Sequence, residues 1–491
     1  MTIDETTRRT TTSDEPVNPL AHLSGETIAE LAKEFDAIHD EVYASLGDKD
    51  RKYITSVIAA QRQLLVAGRV LLLGSTSKPA WLAGTACLGI AKILENMEIG
   101  HNVMHGQWDW MNDPEIHSSV WDWDTASTAN SWKHSHNYVH HTYTNIRGKD
   151  KDLGYEIMRI DPRQKWHPAY LAQPFYNVLL MAFFEWGVAL HDLDIEAIRR
   201  GEKPVKDLVE DLKGIGVKAR KQFVKDYVGW PIISAGAFAL AQLASGGRLP
   251  ESKRSRLASK LRGSARFGKN RRTAALLDSR FSGVESTFLS TVAANFTANI
   301  IRNVWSNAII FCGHFPDQAY TFSQEEVENE TRGGWYVRQL VGAANIDGGP
   351  LFHLMSGNLS YQVEHHLYPD MPSTRYSDVA PKIKDICERY ELPYNTGPFF
   401  QQWGMVQRTI ARLAFPGGKT RPKPGPYRPE ESWRRKFAEG ATKDSEAAKT
   451  RGRVPAGHPA AGPEHNSGGV DVQPPPRGDD SRSPLEPTKY R

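Results

Sequence analysis

Histidine occurs in this chain at spacings that suit the binding of metal ions. Three short strings carry most of the candidate ligands: HNVMH over 101–105, HSHNYVHH over 134–141 and QVEHH over 362–366. Residues four apart lie on one face of a helix. His101 and His105 are therefore predicted to converge on one point, as are His136 and His140. Each pair could hold one metal ion.

Adjacent imidazoles extend two of these strings. His140 and His141 are consecutive, as are His365 and His366 about 225 residues later. The second imidazole of each adjacent pair can turn toward a second, nearby ion. The pattern therefore supplies ligands for two metal ions more easily than for one. Ligand type alone does not choose among iron, zinc, copper and nickel. A lone HxxxH is usually a pair of core or surface histidines, whereas HxxxHH followed by a distant HH favours metal binding.

Other metal and cofactor motifs fail on their residues. HExxH is absent, and the ExxH spacing of soluble di-iron bundles occurs once, from Glu98 to His101. A GxGxxA string at 214–219 follows charged residues rather than an apolar strand, and no GxxxxGK[ST] loop occurs. The cysteines Cys87, Cys312 and Cys387 share no close spacing. We therefore expect no nicotinamide, flavin, haem or thiolate site within this chain.

Composition alone describes the chain poorly. Lys and Arg number 61 against 57 Asp and Glu, and a net charge of +4 does not favour nucleic acid as a partner. The length of 491 residues would allow several domains, and the mean hydropathy of -0.51 is typical of a soluble protein. Residues 1–20 and 416–491 are polar, however, and are predicted to be disordered. These polar ends lower the mean hydropathy of the whole chain, although the region between them is apolar.

Several apolar stretches have the length of membrane spans. They are 56–75, 79–100, 166–184, 227–247 and 286–316. Arg62, Arg69 and Lys92 interrupt the first two, whereas 166–184 and 227–247 carry no charge. The alternative is a soluble helical protein in which these helices are buried.

Two further patterns predict how helices face. Asparagines recur at intervals of four along the last apolar stretch, at 295, 299, 303 and 307, and this polar stripe is expected to face protein or a cavity. Residues 24–46 begin with the cap-like Ser24 and carry apolar residues at helical spacing. This amphipathic helix is expected to pack against the body or to lie on a membrane surface.

The motifs HNVMH, HNYVHH and QVEHHLYP resemble the three histidine boxes of the membrane fatty acid desaturases. HNVMHGQWDWMNDPEIH at 101–117 and NVWSNAIIFCGHFPD at 303–317 are similar to bacterial acyl-CoA desaturases in particular. The resemblance covers roughly 25–415, except for 246–285. It implies one desaturase domain over 21–415 with an all-α integral membrane fold, of about four transmembrane helices and a cytoplasmic helical cap that holds a di-iron site.

The resemblance also implies a set of metal ligands. They are His101, His105, His136, His140, His141, His314, His365 and His366. Gln362 replaces the first histidine of the third box, as in a large branch of the family, and is implied to matter for activity. The remaining histidines of this region match no box position and are interpreted as structural or hydrogen-bonded: His117, His134, His167, His191 and His353.

The implied reaction is the O2-dependent introduction of a cis double bond into a long acyl chain, such as delta-9 of stearoyl-CoA or palmitoyl-CoA. Two iron ions would serve as cofactors. Electrons would come from a separate NADPH-dependent flavin and iron-sulfur oxidoreductase. The other implied partners are long-chain acyl-CoA and the lipid bilayer, in a multi-pass protein of the plasma membrane whose active site faces the cytoplasm.

Membrane topology remains open at this point. Boxes two and three must share one side, which requires an even number of spans between them, yet three apolar stretches separate them. The basic segment 246–285, with 11 Lys or Arg, would lie outside if 227–247 and 286–313 are the spanning pair. If 166–184 spans instead, the charged segment 191–226 lies outside. The basic segment itself is a solvated loop or a contact with anionic lipid.

Two other functions fit the histidine pattern. One is a lipid or sterol hydroxylase with the same di-iron chemistry, which a hydroxylated product would reveal. The other is a metal-binding membrane scaffold, which would lack O2-dependent turnover.

Overall fold

Helices make up nearly all regular structure of the protein. A computed structural model describes residues 18–201, 203–245, 271–421 and 423–427, and for 271–282 it describes the backbone alone. The longer α-helices are α1 Gly25–Ala44, α2 Asp48–Leu72, α3 Lys78–Leu94, α7 Gln173–Ala182, α8 Phe184–His191, α10 Val205–Phe223, α11 Trp230–Ala244, α12 Arg271–His314, α13 Arg332–Gly342, α16 Tyr376–Arg389 and α17 Phe399–Leu413.

Short elements connect these helices. The short α-helices are α4 Asn102–Met104, α5 Ala129–Trp132, α6 His141–Tyr143, α9 Ile195–Arg199, α14 Pro350–Met355 and α15 Gln362–Leu367. Three π-helical segments are Glu95–His101, Lys133–His140 and Val224–Gly229, and six 3-10 turns are Asp109–Met111, Leu153–Glu156, Pro168–Ala172, Glu325–Val327, Leu359–Tyr361 and Ser373–Arg375. Among the described residues one two-stranded parallel sheet pairs β1 Asn345–Asp347 with β2 Thr396–Pro398.

A tight antiparallel hairpin is formed by α2 and α3. A Cβ atom at Gly68 would lie 2.8 Å from the Leu88 side chain and 3.0 Å from the Gly84 carbonyl oxygen. A Cβ at Gly84 would lie 2.8 Å from Leu72. The two glycines therefore let the helix backbones approach closely, as small residues do where helices pack.

The second long pair has two members. One is the run formed by α10 and α11, and the other is α12. The run Val205–Ala244 is continuous through its π-segment and extends about 60 Å. By length and composition, this run is long and apolar enough to cross a membrane. Within the described residues, α12 and the helices of the first hairpin do not meet the same criterion. Large apolar side chains on all these helices face outward, including Val66, Leu82, Ile232, Leu240 and Leu289, each more than half exposed.

The stretch 166–184 does not form one long helix, which disfavours the alternative in which it spans the membrane. It begins with the 3-10 turn Pro168–Ala172 and continues as α7. This helix stops before Phe183, whose backbone angles of φ -118° and ψ 35° are not helical. Ten residues of α-helix rise about 15 Å, half of the hydrocarbon thickness of about 30 Å. Two long helical elements remain between the second and third boxes. They are the run of α10 and α11, and the single helix α12.

The predicted orientation of the two patterned helices is confirmed. The Ser24 side chain accepts a hydrogen bond from Thr27 N and caps α1. Leu31 and Phe35 of α1 are fully buried against α13, α15 and α16, in the largest apolar cluster. α1 therefore packs against the body. All four asparagines of the polar stripe on α12 are buried: Asn295, Asn299, Asn303 and Asn307.

Two of the charges that interrupt the first apolar stretches are buried and paired. Arg69 of α2 and Lys92 of α3 both contact the buried carboxylate of Asp226, at 2.7 and 2.9 Å. Arg69 also donates to Asn295 of α12. Four helical elements are thus joined around one carboxylate.

Some predictions concern residues beyond those described. These are the disordered N-terminus up to residue 17, most of the basic segment 246–285, and the tail from 428 onward. Residues 423–427, within the predicted tail, contact the body: Lys423 Nζ donates to the Asp317 carbonyl and Tyr427 N to the Leu392 carbonyl.

The close approach of α2 and α3 predicts the effect of enlarging its glycines. Gly68→Val and Gly84→Val are each expected to destabilise the protein by about 1–3 kcal/mol, because the new atoms overlap the partner helix. Thermal unfolding of the detergent-solubilised protein measures the change. Gly236→Val in α11 is the control, because a Cβ there meets nothing within 4 Å. Equal stability of all three variants would contradict the packing.

Candidate metal centre

Parts of the first two histidine strings lie on π-helical backbone. Glu95–His101 carries the first ligand of its string, and Lys133–His140 carries most of the second. The third string forms α15, and His314 is the last residue of α12. The π-helix is rare and is found mostly at functional sites, where its wider turn re-aims side chains.

The structure brings all eight predicted histidines into one cluster. Two groups of imidazoles have ligand atoms within 4.8 Å of one another: His101, His105, His136 and His365 form one, and His140, His314 and His366 form the other. We refer to them as the first and second imidazole groups. The two together match the sequence prediction of two metals.

His141 lies between the two groups. Its ring centroid is 4.8 Å from that of His105 and 4.9 Å from that of His365, in the first group. It is also 4.7 Å from that of His366, in the second.

Both predicted HxxxH pairs are close in space. His101 and His105 share the first group, with ring centroids 4.6 Å apart. His136 and His140 have ring centroids 5.1 Å apart, and their ligand atoms form a third possible group with a carboxylate oxygen of Asp152. The second string therefore contributes to both imidazole groups and also brings its own pair together.

Five imidazoles are oriented through their Nδ1 atoms. These atoms lie within hydrogen-bond distance of fixed acceptors: His101 of Asn102 Oδ1 at 3.0 Å, His136 of Asp152 at 3.3 Å, His140 of Asp150 at 3.0 Å, His365 of the Tyr376 hydroxyl at 3.1 Å, and His366 of Gln339 Oε1 at 3.0 Å. An Nδ1 that donates its proton leaves the Nε2 lone pair available for a metal.

The acceptors are themselves held in place, which fixes the tautomers. Asn102 Nδ2 donates to the Glu98 and Gly357 carbonyls, so Oδ1 is the atom that faces His101. Gln339 Nε2 likewise donates to the His141 carbonyl. The Tyr376 hydroxyl donates to the Tyr368 carbonyl, so its oxygen accepts from His365.

Asp150 and Asp152 are the functional residues that sequence reasoning missed. Asp150 accepts from His140 and from the backbone N–H groups of 145 and 152. Asp152 contacts Nδ1 of His136 at 3.3 Å and Nδ1 of His140 at 3.7 Å, so one carboxylate orients a member of each group. The only sequence signal was the KDKD string at 149–152, which begins eight residues after His141.

His191, which was interpreted as structural, also reaches this carboxylate. Its Nε2 lies 2.9 Å from Asp152 Oδ1. Burial alone would lower the pKa of His191, but the hydrogen bond and negative charge of Asp152 raise it to about 9. A protonated His191 therefore compensates the buried charge of Asp152 at neutral pH.

The ring nitrogens that face inward fit metal ligation. Buried nitrogens of His105, His136, His140, His141, His314, His365 and His366 have no hydrogen-bond partner. Each unsatisfied buried polar atom costs roughly 1–3 kcal/mol, so together they would cost as much as the whole stability of a typical domain. Metal ions bound by these lone pairs would remove that cost. The donor set of neutral imidazoles suits iron as well as zinc or copper.

Burial keeps three of these ligands in the required protonation state. It holds the pKa of His141, His365 and His366 well below the ordinary value, and the neighbouring imidazoles lower it further. The rings are therefore neutral at physiological pH, as ligation requires.

Gln362 lies beside the second group. Its Nε2 is 3.1 Å from His314 Nε2, and its Oε1 is buried without a partner. A Cβ at Gly313 would lie 2.8 Å from Gln362 Cγ, so glycine there leaves the room that the amide occupies.

The other histidines stay outside the cluster. His134 stacks on Tyr138, and His353 contacts the Ser360 hydroxyl at 2.6 Å. His117 lies near Asp109, and His167 accepts from Ala169 N at the start of a 3-10 turn.

A cleft of about 750 Å³ opens beside the two groups. His101, His136, His314 and Gln362 line one side of it. Its apolar lining includes Met97, Phe184, Val188, Ile310 and Leu359. We refer to it as the histidine cleft, and its largely apolar lining suits an apolar ligand.

Comparisons with known proteins agree with this site. The family model described as fatty acid desaturase matches residues 79–250 and 254–398. The chain is 44% identical over 400 residues to an NADPH-dependent stearoyl-CoA 9-desaturase of Mycobacterium tuberculosis, which covers 82% of this chain and 83% of the relative.

More distant relatives have related names. An sn-1 linoleoyl-lipid 6-desaturase of a Synechocystis species is 23% identical over 381 residues, 76% of this chain and 90% of that protein. Human fatty acid desaturase 3 is 32% identical over 132 residues, 27% of each chain. No solved structure matches the chain.

The position of Asp152 predicts its effect on metal binding. Asp152→Asn is expected to lower metal affinity by about 10–100-fold, because the amide no longer supplies a carboxylate acceptor to His136. Metal per protein after dialysis against a graded chelator, read by elemental analysis, measures it. Asp109→Asn removes a carboxylate beside His117, outside the cluster, and should retain metal like the wild type. Equal retention by both variants would refute the role of Asp152.

Proposed function

The chain belongs to the fatty acid desaturase family, and from that premise we propose that it introduces a cis double bond at position 9 of stearoyl-CoA or palmitoyl-CoA. It is an oxidoreductase. The observation that carries the proposal is the convergence of the three histidine strings, with His314, beside an apolar cleft. The printed name and 44% identity of the mycobacterial relative support the acyl-CoA substrate and the position.

Two iron ions are the proposed cofactors, held by the seven histidines of the two groups together with His141. Methylene hydrogens of a saturated chain are not acidic, so no general base can remove them. The iron centre would supply the O2 activation that such carbons require. Gln362 is proposed to act beside the second group.

The overall reaction balances without any group from the chain being consumed. Adjacent methylene carbons each lose one hydrogen and become joined by a double bond. O2 takes up these two hydrogens, two further electrons and two protons, and leaves as two waters. The residues of this chain bind and orient the reactants, since His101, His136 and His314 line the cleft into which the acyl chain would extend.

We also propose that α2, α3, α11 and α12 are four membrane spans. Their outward apolar side chains and the shortness of α7 and α8 support this arrangement. It places both parts of the histidine cluster at the same end of the bundle, the cytoplasmic end in our proposal. The protein would then be a multi-pass protein of the plasma membrane. The basic segment 246–285 connects the second pair, largely outside the described residues.

The two electrons are proposed to come from a separate flavin and iron-sulfur oxidoreductase that uses NADPH. The mycobacterial relative is named as NADPH-dependent. The sequence of this chain contains no dinucleotide-binding motif, so a second protein would bind the nicotinamide.

Loss of single ligands tests the function. His140→Ala and His365→Ala are each expected to abolish the product, because each removes a ligand from one group. The chain and its variants are expressed in a desaturase-deficient host, and mass spectrometry locates any new double bond. His353→Gln, outside the cluster, should keep the activity. Full activity of the alanine variants would refute the di-iron assignment, and a hydroxylated product would indicate a hydroxylase instead.

The histidine cleft provides a second test. Val188→Trp is expected to reduce turnover of stearoyl-CoA at least tenfold while iron content stays normal, because the indole fills space that the acyl chain needs. Turnover by gas chromatography and iron by elemental analysis measure the two effects. Leu190→Trp on the outer face of α8, 60% exposed, is the matched control. If both variants turn over equally, the chain does not occupy this cleft.

A further inference from the structure

A fully buried carboxylate, that of Glu98, lies beside the metal centre. Glu98 belongs to the π-helical segment Glu95–His101 and precedes the first ligand by three residues. Tyr53 of α2 and Ser373 donate hydrogen bonds to its Oε1, at 2.9 and 2.7 Å, and Asn358 Nδ2 donates to its Oε2 at 3.0 Å. All three donors are neutral. Among the described residues, no positively charged side chain pairs with this carboxylate.

The absence of a cation distinguishes Glu98 from the buried carboxylate of Asp226, which both Arg69 and Lys92 contact. Burial raises the pKa of Glu98 to about 7. Neutral donors offset only part of the free energy that desolvation of a carboxylate costs. The ionised form of Glu98 therefore needs positive charge from another source.

Only the backbone of Glu98 is linked to a ligand by hydrogen bonds. Its carbonyl accepts from Asn102 Nδ2 at 3.0 Å, and Asn102 Oδ1 lies 3.0 Å from His101 Nδ1. A substitution of the Glu98 side chain leaves this backbone link intact. Within the described part of the chain, the carboxylate itself makes no hydrogen bond to a ligand, so its charge is the property by which it would act on a metal ion.

Bound metal ions would supply the missing positive charge. Imidazoles are neutral ligands, so two divalent ions would keep their whole charge within the cluster. Four carboxylates lie around it, those of Glu98, Asp150, Asp152 and Glu364, and none forms an ion pair with Lys or Arg among the described residues. The protonated His191 compensates Asp152. Three carboxylates are left to face the two ions.

We propose that Glu98 is a counter-charge of the metal centre, whose carboxylate stabilises the bound ions through space without ligating them. This inference rests on the two metal ions of the proposed function and adds a residue that sets their affinity and reduction potential. Opposite charges attract strongly in a buried site, where water and salt screen them little. The carboxylate stabilises the oxidised centre more than the reduced one, because the oxidised centre carries more positive charge. It therefore lowers the reduction potential.

Two variants of Glu98 separate its charge from its shape. Glu98→Gln keeps the shape and removes the charge, whereas Glu98→Asp keeps the charge and shortens the side chain by one methylene group. If the charge acts on the metal, Glu98→Gln lowers the affinity for Fe(II) by about tenfold, while Glu98→Asp stays close to the wild type. A role in packing alone predicts the opposite order. Anaerobic competition with a chelator at pH 8, on the purified protein in neutral detergent, measures the affinity.

The reduction potential provides a second measurement that a purely structural role would not change. Redox titration of the purified holoenzyme is expected to give a higher potential for Glu98→Gln and an unchanged one for Glu98→Asp. Thermal unfolding of the metal-free proteins should show that Glu98→Gln is at least as stable as the wild type, because it removes a buried charge.

Glu210→Gln on α10 is the matched control, since it removes the charge of a glutamate whose side chain is 63% exposed. Its Fe(II) affinity and potential should equal those of the wild type. Wild-type affinity and potential in Glu98→Gln would overturn the proposal, as would equal changes in Glu98→Gln and Glu210→Gln. Neither measurement uses an acyl substrate, so a wild type that binds iron and makes no double bond would refute only the proposed reaction. A wild type that binds no iron would overturn the cofactor assignment and this inference with it.

Discussion

The site depends on one constraint, the fixed direction of its imidazoles. Five rings offer Nδ1 to acceptors that are anchored elsewhere, and seven of the histidines have ring nitrogens buried without partners. The acceptors come from separate parts of the chain, among them Asn102, Asp152 and Gln339. Assembly of the cluster therefore requires several parts of the helical body, because some acceptors and anchors lie far along the chain from the ring, such as Gln339 for His366 and the Gly357 carbonyl that holds Asn102. Such preorganisation limits the reorganisation that metal binding would otherwise require.

The second string joins the two imidazole groups. His136 and His140 lie four residues apart on the π-helical segment Lys133–His140, and their rings are stacked with centroids 5.1 Å apart. His136 is a member of the first group and His140 of the second, and both have ligand atoms close to a carboxylate oxygen of Asp152. Asp152 contacts Nδ1 of both rings and couples the two groups through one carboxylate. The proximity of the two groups is thus set within one short segment of the chain.

The features that depend on residue type could be predicted from the sequence, whereas those that depend on tertiary structure were missed. The eight histidines were chosen correctly as neighbours, since their spacing and the family resemblance both mark them, and the buried faces of α1 and α12 followed from periodicity. The membership of His136 and His140 in two imidazole groups was not predicted, because a histidine spacing does not show which distant rings will lie beside each member. Asp150 and Asp152 were missed because carboxylates in a charged loop resemble ordinary surface residues. The break at Phe183 was also missed, since hydropathy does not report backbone angles.

The buried charges that make the first two proposed spans hard to recognise from hydropathy also fix the positions of the helices relative to one another. Arg69 and Lys92 count against a membrane helix in any hydropathy average, yet both meet Asp226 on another helix. Removing one partner of such a network would leave an uncompensated buried charge, at a cost of about 3–5 kcal/mol. A shifted register of α2, α3 or α12 would carry the same penalty, because Arg69 also holds Asn295 and Arg302 of α12 holds Glu185. Since α12 ends at His314, we infer that the ion pairs which set its height also set the depth at which His314 meets the other imidazoles.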